Sequence, residues 1–189
     1  YRGNDNVSFA YFGDGASNQG QVYETFNMAA LWKLPVVFVI ENNHYAMGTS
    51  QKRSSSTPAI YTRGEAFGIP GEEVDGMNVL DVKAAGAKAI AHCRAGKGPY
   101  ILEMNTYRYR GHSMSDPAKY RTREEVQKVK EERDPIDHVR EMLLTGGHAD
   151  EDALKAIDKE IKAVVSEAAQ YATDSPEPDL SELWTDIYV

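Results

Sequence analysis

A single cysteine, Cys93, stands among the 189 residues, which excludes an internal disulfide and is compatible with a reducing compartment. No apolar run approaches the ~20 residues that a membrane helix needs, so no membrane role is expected. Clustered Lys and Arg are lacking too. The net charge is −8, which argues against nucleic acid as a partner. There is no Gly-x-x-x-x-Gly-Lys-Ser/Thr loop and no Gly-x-Gly-x-x-Gly fingerprint. An EF-hand starting at Asp14 fails because Gln19 and Thr25 stand where that loop needs glycine and a bidentate glutamate. No internal repeat or signal peptide is visible. The chain opens at Tyr1 and reaches its first strand-like run, Val7 to Phe12, almost at once, so further residues are expected upstream.

The acidity is uneven. Residues 1–121 hold 13 Lys and Arg against 11 Asp and Glu, while residues 122–189 hold 8 against 18. A slightly positive first part suits an anionic ligand. The expected division is therefore an α/β domain over residues 1–121 and an acidic helical extension over 122–189, packing on that domain and on partner subunits.

Val7 to Phe12 reads as a buried strand stopped by Gly13. Val22, Phe26, Ala29 and Ala30 keep helical spacing, which predicts a helix from about Gln19 to Leu31. Val36 to Ile40 is a continuous apolar strand of the kind covered on both faces of a parallel sheet. Residues 44–73 read as a long loop with one short helix near Tyr61 to Phe67. Val74 marks a short strand, and a helix capped by Asp81 carries Val82, Ala85, Ala89 and Cys93 on its apolar face. Tyr100 to Met104 is the next strand. Beyond Arg121, Thr122 and Glu125 form a capping box, Asp134-Pro135 starts another helix, and Leu154 to Ala172 marks a long amphipathic helix that calls for a partner surface. A short helix near Leu180 to Trp184 follows. The expected fold is a parallel sheet flanked by helices, with a helical C-terminal extension.

In such a fold, Asp14 and Asn42-Asn43 lie just past the carboxyl ends of their strands, the edge where open α/β sheets bind ligands. Taken alone, Asp14-Gly15 reads as a turn and Asn42-Asn43 as a strand cap. Taken together, with a helix between, they suit a hard cation. Asp14, the Asn43 carboxamide and a main-chain carbonyl near Tyr45 offer the oxygen ligands that Mg2+ prefers beside substrate phosphates. Gly15 and Ala16 can offer amides to a diphosphate near the helix start. Arg108 and His112, in a cationic loop after the third strand, reach the same edge.

These residues also carry a resemblance. Gly13-Asp14-Gly15-Ala16-Ser17-Asn18-Gln19-Gly20, Glu41-Asn42-Asn43 and Tyr107-Arg108-Tyr109-Arg110-Gly111-His112-Ser113-Met114-Ser115-Asp116-Pro117 resemble the alpha subunit of the decarboxylating first component of pyruvate dehydrogenase. That subunit is a member of the thiamine diphosphate-dependent 2-oxo acid dehydrogenases. The likeness is most specific from Val7 to Arg121, extends to the tail from Asp179 to Tyr188, and corresponds to the C-terminal half of such a subunit. It implies the thiamine diphosphate-binding fold and a heterotetramer of two alpha and two beta chains. It further implies oxidative decarboxylation of pyruvate with acetyl transfer to a lipoyl group of the acetyltransferase component.

By the same resemblance, thiamine diphosphate and Mg2+ would be held by Gly13, Asp14, Gly15, Ala16, Asn43 and the Tyr45 carbonyl. Arg108 would lie near the cofactor and His112 would be the active-site histidine. Ser113 matches a position phosphorylated in mitochondrial members. The second such serine region reads Ala118-Lys119-Tyr120, which favours a bacterial cytoplasmic protein over one of the mitochondrial matrix. The rival readings are an acetoin or branched-chain 2-oxo acid dehydrogenase alpha subunit and a catalytically incomplete assembly fragment.

Overall fold

A computed structural model describes residues 3–187; Tyr188, the last residue of the tail resemblance, lies outside them. The chain divides into two compact units, Tyr1–Val139 and Arg140–Val189.

The first unit is built on four parallel strands in the order β1 (Ser8–Gly13), β2 (Val36–Asn42), β6 (Tyr100–Asn105) and β5 (Gly71–Asp75). Helix α1 (Gly20–Leu31) connects β1 to β2, and α3 (Val79–Arg94) connects β5 to β6. Alternation along β2 explains its unbroken apolar run. Val37 and Val39 pack with Leu102 and Met104 against Ala85, Ala89 and Cys93 of α3. Phe38 and Ile40 face the other way, onto Phe26 and Ala29 of α1 and onto Ile60 and Ile69. Both faces of the strand are thus covered by apolar layers. Phe26 and Phe38 meet edge to face with ring centroids 4.8 Å apart, the arrangement aromatic pairs prefer. The fold is the expected α/β arrangement.

Four local features differ from expectation. Strand β1, expected to be buried, is an edge of the sheet, with Phe9 39% and Tyr11 64% exposed. Helix α3 starts earlier than its Asp81 suggests: Asn78 is the N-cap and its side chain accepts from the Leu80 and Asp81 N–H groups. The stretch read as a loop contains a hairpin, β3 (Tyr45–Ala46) with β4 (Thr49–Ser50), and a short helix α2 (Gln51–Ser54). Ile60–Phe67 then forms the expected short helix, of the 3-10 type. The capping box at the start of α4 (Arg123–Arg133) is half made. Thr122 accepts from the Glu125 N–H at 3.1 Å, but the Glu125 carboxylate takes the Tyr107 hydroxyl at 2.8 Å. As expected, a helix starts at Asp134-Pro135: Asp134 caps α5 (Pro135–Thr145) by accepting from the Ile136 and Asp137 N–H groups.

In the second unit, Asp150 caps α6 (Glu151–Asp174) through the Ala153 N–H at 2.8 Å. Its apolar stripe is not covered: Ile157, Ile161, Val164 and Val165 are all more than half exposed. Among the described residues, no helix is long and apolar enough to cross a membrane.

Phe38 is 3% exposed and fills the layer between sheet and α1. Phe38→Ala should destabilise the first unit by about 3–5 kcal/mol, read as a lowered midpoint in chemical denaturation without a change in slope.

Candidate functional site

The register of the sheet brings the polar residues to one edge. Gly13 is paired with Glu41, and Asn42 with Asn105. Asp14 is therefore the first residue beyond β1, Asn43 the first beyond β2, and the segment carrying Arg108 follows β6.

Asp14 is 3% exposed, and its carboxylate accepts from no side chain among the described hydrogen bonds. Burial pushes its pKa above the ordinary carboxylate value. The N–H groups of Asp14 and Gly15 and the nearby charges of His44 and Arg108 act in the opposite sense. The turn is fixed from behind. The Ser17 hydroxyl donates to the Asp14 carbonyl at 2.5 Å, and Arg63 Nη1 reaches the Ser17 carbonyl at 3.0 Å and Asn18 Oδ1 at 2.9 Å. Gly15 and Ala16 open the 3-10 turn Ala16–Asn18, where N–H groups lack helical acceptors.

Gly15 also shows how close the two halves of the site come. A Cβ built on it would lie 2.4 Å from Ala46 Cβ, so the loop after β1 rests directly on the hairpin after β2. Between these contacts lies the turn of Asn43, His44 and Tyr45. His44 has φ of 67° and Met47 of 55°, left-handed values uncommon for residues with a Cβ. Asn43 Oδ1 accepts from the Tyr45 N–H at 3.3 Å. A cavity of about 670 Å³ adjoins this turn, with Asn42, His44, Tyr45, Gln51, Glu103 and Asn105 among its lining.

Arg108 ties the third loop to the hairpin. Its Nη2 donates to the Met47 carbonyl and the Tyr120 hydroxyl, both at 2.8 Å, and its Nη1 reaches the Tyr45 carbonyl at 3.5 Å. Its Nε is buried and has no acceptor among the described residues. The Tyr45 carbonyl thus points among polar groups, with a second lone pair to offer. His112 is exposed, and its ring enters none of the described hydrogen bonds; the loop holds it by its backbone. Asp116 Oδ2 accepts from the His112 N–H and the Tyr120 hydroxyl, each at 2.7 Å, and Oδ1 from the Ala118 N–H at 2.9 Å. Those donors pull the Asp116 carboxyl down to about 2. Gly13, Asp14, Gly15, Ala16, Asn43, Tyr45 and Arg108 therefore gather at one edge, and His112 joins them only through Asp116, Tyr120 and Arg108.

Several residues that shape the site escape a reading of motifs. Arg121 is 9% exposed and donates to the Arg108 and Arg110 carbonyls, with its guanidinium over the Tyr107 and Tyr120 rings. Tyr120 lies against Gly48, where a Cβ would be 3.3 Å from its ring. Glu103 is 1% exposed on the central strand β6. A charged residue inside an apolar strand was the one visible signal for it.

Residues 1–181 match the family described as "Dehydrogenase E1 component". The pyruvate dehydrogenase E1 component subunit alpha of Rhizobium meliloti is 65% identical over 187 residues, covering 99% of this chain and 54% of that protein. The corresponding subunit of Zymomonas mobilis is 56% identical over 189 residues, covering 100% and 53%. The mitochondrial subunit of Dictyostelium discoideum is 53% identical over 190 residues, covering 100% and 50%. The chain spans about half the length of these relatives. On the match over residues 1–181, the chain belongs to the dehydrogenase E1 component family.

Proposed function

We propose that this chain carries the metal and diphosphate half-site of a pyruvate dehydrogenase E1 alpha subunit. On this reading it takes part in oxidative decarboxylation of pyruvate, with acetyl transfer to a lipoyl group. The contact of Gly15 with Ala46, which presses the Asp14 loop against the Asn43–Tyr45 turn, is the observation that carries the reading. The names of relatives at 50–65% identity support the substrate. Their bacterial and mitochondrial origins fit a bacterial cytoplasmic protein, with the mitochondrial matrix as the alternative.

The donor set fits the proposed group. A buried carboxylate without a side-chain donor, a carboxamide oxygen and a main-chain carbonyl are hard oxygen ligands suited to Mg2+. Asp14, Asn43 and the Tyr45 carbonyl would hold the metal, and Gly13, Gly15 and Ala16 would border the diphosphate. Thiamine diphosphate, on which the family depends, supplies the electron sink for decarboxylation when bound.

The protein's task is placement and charge. Asp14, itself 3% exposed, would balance the metal's charge from a place where electrostatic attraction is stronger than in solvent. Arg108 adds a fixed cation beside that site. His112, exposed and carried on a braced loop, would hold or move a proton, a role worth ~10²–10⁴-fold in rate. In this proposal residues 1–121 form the cofactor-binding part, and residues 122–189 form a helical extension that meets partner subunits. A beta chain, in a two-alpha, two-beta assembly, and the lipoyl-bearing acetyltransferase component are the partners.

The full-length alpha chain assembled with its beta partner should turn over pyruvate well above acetoin or 3-methyl-2-oxobutanoate. Asp14→Asn should abolish Mg2+-dependent cofactor binding in calorimetry. Preference for either other substrate would reject the pyruvate reading, and unchanged binding would reject the metal site.

Gly15 has φ of −66°, open to alanine, so only the contact with Ala46 opposes a side chain there. Gly15→Ala should lower Mg2+ and thiamine diphosphate affinity about tenfold to a hundredfold, with the far-ultraviolet circular dichroism unchanged.

Asp116 titrates near 2 in the folded loop, below its ordinary 3.8. Its ordering effect is therefore complete above that ordinary value and is lost as pH falls through about 2. The protection of residues 108–121, taken relative to the intrinsic exchange rate at each pH, should fall over this window before that of the sheet, and Asp116→Ala should show the same loss of protection at neutral pH.

A further inference from the structure

Resting on that metal-site reading, we infer that Glu103 is a positioning residue: through Asn42 it fixes the turn that presents Asn43 and the Tyr45 carbonyl. Nothing in the core requires a carboxylate at this place. Ile101, two residues earlier on the same face of β6, is fully buried among apolar neighbours, and Glu103 is just as buried. A carboxyl side chain so far from water is tolerated only when its oxygens are bonded.

Both oxygens are. Glu103 Oε1 accepts from Asn42 Nδ2 at 2.7 Å, and Oε2 from the Tyr61 N–H at 2.9 Å. The second bond supplies a cap from across the fold, because the 3-10 helix Ile60–Phe67 has Ala59 at its N-cap and no capping side chain of its own. The first bond sets the turn. Asn42 Nδ2 has a second acceptor, Gln51 Oε1, at 3.1 Å. With both acceptors on the nitrogen, the carboxamide has one orientation, and Oδ1 must lie where it accepts from the His44 N–H at 3.0 Å. The Gln51 N–H holds the His44 carbonyl at 2.9 Å. His44 is thereby gripped at both its N–H and its carbonyl while in a left-handed conformation. It stands between Asn43 and Tyr45, so the grip determines where both proposed ligands point. Groups that orient metal ligands from behind are worth about 10–100-fold in metal affinity.

Glu103→Gln nearly conserves shape but cannot conserve the bonding. Its single carbonyl oxygen can serve Asn42 or Tyr61, and its NH2 group meets the other donor. Asn42→Ala removes the link to the turn and leaves the Tyr61 bond in place. The test is calorimetric titration of Mg2+ at saturating thiamine diphosphate into the full-length chain assembled with its partner subunit, with the melting temperature measured alongside.

Glu103→Gln and Asn42→Ala should each weaken Mg2+ binding by about 10–100-fold. Val37→Ala, a fully buried change at the far end of β2, should lower the melting temperature with Mg2+ affinity held within about twofold. Wild-type affinity in Glu103→Gln would overturn the inference, as would a loss in Val37→Ala equal to that in Glu103→Gln. Should Glu103→Gln fail to fold, wild-type affinity in Asn42→Ala would overturn it alone. Asp14→Asn separates the two levels. Unchanged binding there rejects the metal site and the inference with it, whereas lost binding there beside an unaffected Glu103→Gln rejects only the positioning role.

Discussion

Parallel pairing of β1, β2 and β6 is the constraint on which the site depends. Strand β2 is packed by α3 on one side and α1 on the other, so its interior has almost no place for an unsatisfied polar group. An unbonded polar side chain has a place only where the strands run out, and Glu103, inside β6, is held there by bonds to both of its oxygens. Because the strands are parallel and in register, they run out together, with Gly13 opposite Glu41 and Asn42 opposite Asn105. Three loops far apart in sequence are delivered to one edge with no contact among their own side chains required to bring them there. Contacts such as Gly15 on Ala46 then refine a proximity that the sheet has already imposed.

The loops themselves are held mainly by main-chain acceptors. Arg108 and Arg121 donate to the carbonyls of Tyr45, Met47, Arg108 and Arg110, and Arg63 to that of Ser17. Planar guanidinium groups suit this task, since each offers several donors in a fixed fork. Loops that carry function expose carbonyls which regular structure would have paired, and three arginines on this edge meet that demand. The slight excess of positive charge over residues 1–121 is in this respect partly structural: much of it is engaged in bracing backbone.

The adjacent asparagines show how much of the site was legible in the sequence. Asn42 and Asn43 are chemically identical, yet period-two alternation sends Asn42 inward, 1% exposed, and leaves Asn43 at the rim. The pair, with Asp14 beyond another apolar run, marked the edge of the sheet; alternation separates brace from proposed ligand. Glu103 was harder to assign. Its place in an apolar strand was plain, but its partners lie 61 and 42 residues away in sequence. The hairpin Tyr45–Ala46 with Thr49–Ser50 gave no periodic signal at two residues per strand. Asn78 and Asp81 are equally suited to cap a helix, and the choice of Asn78 depends on where α3 meets the sheet.

The same helical periodicity had different outcomes in α3 and α6. In α3 the apolar positions Ala85, Ala89 and Cys93 are buried against β6 and β2, and small residues there let helix and sheet approach closely. In α6 the stripe of Ile157, Ile161, Val164 and Val165 is more than half exposed. The ion pairs on that helix, such as Lys162 with Asp158 at 2.5 Å, are exposed as well, and such pairs contribute little. Length and the Asp150 cap favour the helix, since cooperative propagation over 24 residues offsets the cost of nucleation. Neither accounts for β-branched residues at helical spacing, which lower helix propensity and gain only through burial. Periodicity therefore reads a helix and the face it would bury. Whether that face is covered depends on neighbours the pattern does not name, and none of the described residues beyond Val139 covers this one.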